Sequence, residues 1–172
     1  MENLLELDTR RKIFEYVSAS PGAYLREISR SLRLSLGAVE YHLDRLTRGG
    51  LLSCRVHRAK KRYFVTSQVS HQDEVVIASL RQDVPRRIII HLLGNPGATF
   101  RALLSIVPVS KSTLSFHMKR LVEVGVVHED REGREKRYKV ERCENTAKLV
   151  ERMKGSLMDE AVDSFVDAWT GL

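Results

Sequence analysis

Four cations crowd into five residues at Arg58, Lys60, Lys61 and Arg62, and with Arg55 and His57 they make a run that contains no acid. Side chains of this kind at this density suit phosphate, because each Lys or Arg that meets a phosphodiester releases a condensed counterion and makes binding salt-dependent. A second group is different in character. Ser110, Lys111, Ser112, Thr113, Ser115, Lys119 and Arg120 mix hydroxyls with cations, a set that can hydrogen-bond base edges as well as phosphates. Two further groups mix signs. Ser35, Gly37, Tyr41, Arg45 and Arg48 alternate with Glu40 and Asp44, while Arg134, Lys136 and Arg137 stand beside Glu129, Asp130, Glu132 and Glu135. All the non-acidic members of these four groups, save His57, are candidate DNA contacts.

Other chemistry finds no footing. There is no glycine-rich phosphate loop, no nucleophile motif beside a base and no paired Cys-His spacing, so neither an enzyme, a cofactor nor a metal is expected. His42 and His117 lack a second ligand four residues on, which favours a structural role or a phosphate contact over metal binding. Cys54 and Cys143 lie far apart, as in a reducing compartment, and Cys54 reads as a filler on a short strand. The chain has 172 residues with 29 Lys plus Arg against 22 Asp plus Glu, a net charge of +7. A basic balance of this size points to a polyanionic partner. No apolar run approaches the roughly 18 residues of a membrane span. The start Met1-Glu2-Asn3 lacks the cationic and apolar parts of a secretion signal, so a cytoplasmic, nucleoid-associated protein with no membrane contact is expected.

Positioning these groups requires elements, and an internal repeat supplies them. Shifting the chain by 75 positions aligns residues 10–65 with 85–140 without a gap, and 15 of the 56 columns are identical. Among them are Pro21-Gly22-Ala23 with Pro96-Gly97-Ala98, Ser35 with Ser110, His42 with His117, and Lys61-Arg62-Tyr63 with Lys136-Arg137-Tyr138. In each copy a first helix (Ile13, Phe14, Val17) ends at Pro-Gly, and a second carries Leu25, Ile28 and Leu32. Ser35 is placed to cap a third helix, whose Val39, Leu43 and Leu46 recur at helical spacing. Gly49-Gly50 closes that helix, and two β-rich runs, Leu51 to His57 and Arg62 to Thr66, flank a basic turn. The fold class expected is mainly α with small β-hairpin wings: two tandem winged helix-turn-helix domains plus a C-terminal helix. The boundaries are 1–66 for the first domain, 67–83 for a linker helix, 84–142 for the second and 143–172 for a dimerisation or clamping helix. That last helix carries Leu149, Met153, Leu157, Phe165 and Trp169 on one stripe, the expected dimer interface.

The stretch from Leu25-Arg26-Glu27-Ile28 through Ser35-Leu36-Gly37-Ala38-Val39-Glu40-Tyr41-His42-Leu43 to Gly49-Gly50-Leu51-Leu52 resembles the helix-turn-helix of arsenic-repressor (ArsR) and MarR-like winged-helix regulators. Ser110 to Met118, with Leu121 and Gly125-Val126-Val127, resembles it equally, and the tandem arrangement is similar to archaeal regulators with two such domains. The resemblance implies a sequence-specific double-stranded-DNA regulator, expected to repress and to form a homodimer through its C-terminal helix. Charge divides the work between the copies. Residues 1–70 and 84–142 each carry a net +6, but the first copy concentrates cations in its wing and the second in its third helix. The third helix of the second copy is expected to read sequence, and the wing of the first to anchor the backbone. A tandem winged-helix protein-interaction scaffold and an RNA-binding protein remain open as alternatives.

Overall fold

The computed structural model describes residues 7–57, 60–133, 135–157 and 170. The chain divides into two compact units, Met1–Glu74 and Val75–Leu172. The first contains α1 (Asp8–Ala19), β1 (Ala23–Tyr24), α2 (Leu25–Leu32), α3 (Leu36–Arg48), β2 (Leu52–His57) and β3 (Lys60–Val65). Helix α4 (His71–Leu80) spans the division. The second unit continues with α5 (Asp83–Gly94), β4 (Ala98–Thr99), α6 (Phe100–Ile106), α7 (Lys111–Glu123), β5 (Val127–Glu132), β6 (Glu135–Val140) and α8 (Cys143–Leu157). These are two winged helix-turn-helix units in tandem.

The repeat carries through to register. Each unit holds a three-stranded antiparallel sheet, in the order β1-β3-β2 and β4-β6-β5. Ala23 pairs with Tyr63 and Leu52 with Val65, as Ala98 does with Tyr138 and Val127 with Val140. The first core gathers Ile13, Val17, Ile28, Val39, Leu43, Leu46, Leu52, Tyr63 and Val65. Their counterparts Ile88, Leu92, Leu103, Leu114, Met118, Leu121, Val127, Tyr138 and Val140 are buried in the same way. Burial at the spacing of one helix face and at every second strand residue is what ties three helices to a hairpin.

Local signals set the ends of α3 and α7. The Ser35 hydroxyl accepts from the Ala38 amide at 3.3 Å, and the Ser110 hydroxyl from that of Thr113 at 3.2 Å, so each satisfies one of the amides left open at a helix start. The turn into α3 is closed by Arg33 in the left-handed region at φ 53°, with the Leu34 amide reaching the Ser29 carbonyl at 3.0 Å.

Three expectations need correction. The second strand of the first wing begins at Lys60 rather than Arg62, because His57 pairs directly with Lys60 and the hairpin closes over fewer residues. The two-residue strands β1 and β4 are additions that no alternating pattern of that length can announce. The third concerns the C-terminal stripe. Leu149 and Met153, expected at a dimer interface, are buried within the chain together with Ala147 and Val150, and α8 packs on β6. A side chain already enclosed in its own unit has no surface left for a second copy. Leu157 is half-buried, and Phe165 and Trp169 lie outside the described residues.

Candidate nucleic-acid interface

Helix α7 turns Leu114, Met118 and Leu121 into the core. The opposite face presents Lys111, Ser112, Thr113, Ser115, Phe116 and Lys119 to solvent, with Arg120 half-buried at the edge. The hydroxyls of its first turn are mutually engaged: Ser110 Oγ lies 2.9 Å from Ser112 Oγ and 2.8 Å from Thr113 Oγ1. Lys119 Nζ stands 3.8 Å from the Glu123 carboxylate, and both side chains are exposed. A pair of this kind contributes little in water and yields readily to a phosphate.

In the first unit α3 exposes Leu36, Gly37, Glu40, Tyr41, Asp44 and Arg48, with Arg45 half-buried. Arg48 donates to Asp44 at 3.1 Å, so the charges of these two offset each other and Glu40 is the acid left uncompensated on this face. His42 and His117 each pack edge-on against the aromatic residue before them, Tyr41 at 5.1 Å and Phe116 at 5.3 Å between ring centroids. Both are half-buried, and the enclosed His42 Nδ1 has no hydrogen-bond partner. Burial, with the nearby Arg10 guanidinium, holds the His42 pKa below its ordinary 6.5, so the ring is neutral at neutral pH and serves packing rather than phosphate.

The wings separate two kinds of cation. Arg62, expected at the DNA, is only 7% exposed, and its Nη1 donates to the Gly22 carbonyl at 2.8 Å. Arg137 does the same to the Gly97 carbonyl at 3.1 Å. The Gly22 and Gly97 amides return bonds to the Tyr63 and Tyr138 carbonyls, both at 2.8 Å, and both glycines sit at positive φ, 76° and 87°. These two arginines staple the Pro-Gly turn to the wing, a structural contact that the expectation of DNA contacts did not include. The identical columns Pro-Gly-Ala and Lys-Arg-Tyr of the repeat are the two halves of this staple. Tyr63 and Tyr138, beneath it, have pKa values pushed up to about 12, by burial first and then by hydrogen bonds to Cys54 and Glu129 respectively.

Other predicted contacts are paired. Arg55 donates to the buried Glu74 carboxylate at 2.8 Å, Ser53 bonds the same carboxylate at 2.9 Å, and Lys136 meets Glu129 at 2.7 Å. Arg58 and Arg134 lie outside the described residues. Lys60 and Lys61 remain exposed with no acid partner among the described residues, Lys60 Nζ standing 5.0 Å from the centre of the Tyr24 ring.

Two residues escaped sequence reasoning. Arg26 and Arg30 stand one turn apart on α2, both exposed and neither ion-paired among the described residues, and with Lys60 and Lys61 they line a groove of about 520 Å³ walled by Tyr24 and Tyr63. Glu40 is the acid on its lining. The corresponding positions of the second unit are Arg101, Ser105, Glu135 and Lys136, so only the first unit builds a four-cation cradle. The i, i+4 arginine pair was visible in the sequence, but its convergence with the wing depends on how α2 packs beside β3. Among the described residues no cluster of three His, Cys, Asp or Glu side chains could hold a metal ion, and no helix is long and apolar enough to cross a membrane.

Comparison with known proteins agrees with this geometry. Residues 7–77 match a family described as an N-terminal HTH domain, and residues 81–128 one described as winged helix-turn-helix DNA-binding. An uncharacterized HTH-type transcriptional regulator of Methanocaldococcus jannaschii is 26% identical over 132 residues, which cover 77% of this chain and 33% of that protein. The chain thus spans about a third of the length of this curated relative. The crystal structure of the DIP2311 protein from Corynebacterium diphtheriae aligns over 77% of this chain and 26% of that one, at 14% identity and a TM-score of 0.28, too slight a likeness to carry an argument. The chain contains two helix-turn-helix domains in tandem. These descriptions go no finer than that, so the arsenic-repressor and MarR resemblance stays one of sequence motifs.

Proposed function

We propose that this tandem helix-turn-helix protein is a DNA-binding transcription regulator, in which α7 reads base edges in the major groove while the wing and α2 of the first unit grip the phosphate backbone. The observation that carries this division is the pairing of the cations. Among the described residues, Lys111 on the outward face of α7 makes no ion pair and Lys119 makes only a long, exposed one. In the first unit, Lys60, Lys61, Arg26 and Arg30 converge and meet no acid partner among the described residues, whereas the wing of the second unit holds Lys136 and Arg137 in internal contacts. Hydroxyls and cations on a helix suit base edges, and converging cations without directional partners suit phosphates. The helix-turn-helix descriptions of both units and the regulator name carried by the Methanocaldococcus relative support the same reading.

Repression follows most simply, because a duplex held by two winged units is closed to other proteins over that stretch. Self-association through the end of the chain rests on Leu157, Phe165 and Trp169, once Leu149 and Met153 are set aside. Sedimentation of the full chain beside a Leu157→Asp, Phe165→Asp variant tests it, and an unchanged mass removes the dimer.

The division of labour is tested by titrating duplex DNA at several salt concentrations. Replacing Lys111 and Lys119 by Ala is expected to reduce discrimination between a selected site and random sequence. Replacing Lys60 and Lys61 is expected to weaken both alike and to make the salt slope shallower by about one per lysine. Identical behaviour of the two pairs rules out the division. Failure of the wild type to bind any duplex removes the DNA reading in favour of a protein scaffold, and preference for single-stranded or A-form RNA turns it to RNA.

A further inference from the structure

The outward face of α7 contains one large apolar group. Phe116 is 57% exposed, and its neighbours along that face, at i−4, i−1 and i+3, are Ser112, Ser115 and Lys119. The ring is therefore surrounded by polar and cationic groups rather than by an apolar patch of the kind that joins two proteins. It packs edge-on against the half-buried His117, at 5.3 Å and 78°. Tyr41 has the same relation to His42 in the first unit, at 5.1 Å and 69°, but there Glu40 and Asp44 flank it. An aromatic ring at this register thus meets the following histidine edge-on in both units, and in the second it stands beside Lys119 and two serines rather than beside acids.

A cationic strip faces an anion, and a duplex presented to this strip offers one apolar feature in its major groove, the C5-methyl group of thymine. We propose that Phe116 covers a thymine methyl group and is a specificity-determining residue, so that the site read by α7 includes a thymine beneath the ring. This rests on the DNA-binding reading above and names what one position of the helix selects. Lys119 and the hydroxyls of Ser112 and Ser115 then serve the polar edges and phosphates on either side. Covering the ring and the methyl together removes both from water, so the contact needs no hydrogen bond to discriminate.

Duplexes enriched by the full chain from a random-sequence library provide the probe, each resynthesised with uracil in place of thymine so that only methyl groups are lost. Wild type is expected to bind the uracil duplex about fourfold more weakly for each methyl the ring covers. Phe116→Ala is expected to bind the two duplexes equally, and Phe116→Leu, which keeps an apolar side chain, to retain part of the preference. Because the ring is largely exposed, both variants should unfold at the wild-type denaturant midpoint. Equal binding of the two duplexes by wild type overturns the proposal, as does an equal loss in wild type and Phe116→Ala. A change of sedimenting mass in Phe116→Ala with an unaltered methyl preference overturns it too, and assigns the ring to a protein contact. If no duplex is enriched, the DNA-binding reading falls and this one with it. A duplex that binds without regard to methyl groups leaves that reading standing and removes this one alone.

Discussion

Arg62 and Lys61 are adjacent and carry the same charge, yet they do different work. Strand alternation puts Lys61 on the sheet face of Tyr63 and Val65 but at the exposed start of the strand, and Arg62 on the face of Phe64, where its guanidinium meets the Gly22 carbonyl. Loss of a hydrogen bond from a charged donor leaves the carbonyl unsatisfied, so Arg62→Ala is expected to lower unfolding free energy by about 2 kcal/mol in denaturant titrations. Lys61→Ala should leave stability unchanged and weaken DNA binding. The buried Glu74 and the half-buried His42 and His91 make stability depend on pH in the same sense. Burial raises the Glu74 pKa, but hydrogen bonds from Arg55, Ser53 and His71 outweigh it and leave the value below 4.5. Its contribution is present above 4.5 and is lost as pH falls through the lower folded value. The depressed pKa of His42 means that below about 6.5 the unfolded chain takes up a proton the folded one refuses, so stability falls as pH drops from 6.5 toward the folded value. Urea midpoints should therefore decline in two stages on acidification. His42→Gln should remove part of the first stage, the rest belonging to His91, whose pKa burial also lowers, and Glu74→Gln should flatten the second.

Among the elements, α3 and α7 were the most legible. A Ser cap, three apolar residues at helical spacing and a terminating glycine are all local signals, and each does in the structure what its chemistry suggests. The C-terminal stripe was legible as apolar but not as to its partner, since the same pattern suits a neighbouring strand or a second chain. The partner is β6, and Met153 at 0% exposure has no free surface. Met153→Ala should accordingly destabilise the second unit by about 2 to 5 kcal/mol through the cavity it leaves, with no change of sedimenting mass. A change of mass at unaltered stability would return this stripe to a subunit interface.

On the scale of the whole molecule, the question is how far an excess of positive charge becomes binding. Arg26→Ala with Arg30→Ala should make the salt dependence of duplex binding shallower by about two, one for each phosphate contact. Arg101→Ala, at the corresponding place in the second unit, should change it less, since Ser105 and Glu135 stand where the first unit has cations. An equal effect at the two places would mean that the cradle has no special part in binding. The sequence alone determined the duplication, the order of the three helices and the hairpin in each copy, the capped helices and the basic balance, because periodicity, caps and charge are properties of neighbours along the chain. Only the tertiary structure decided which cations face outward, which carbonyl Arg62 and Arg137 hold, what α8 covers and where Arg26 and Arg30 meet the wing. These depend on groups far apart in sequence: Arg62 reaches Gly22 across 40 residues, and no local pattern records a contact at that range.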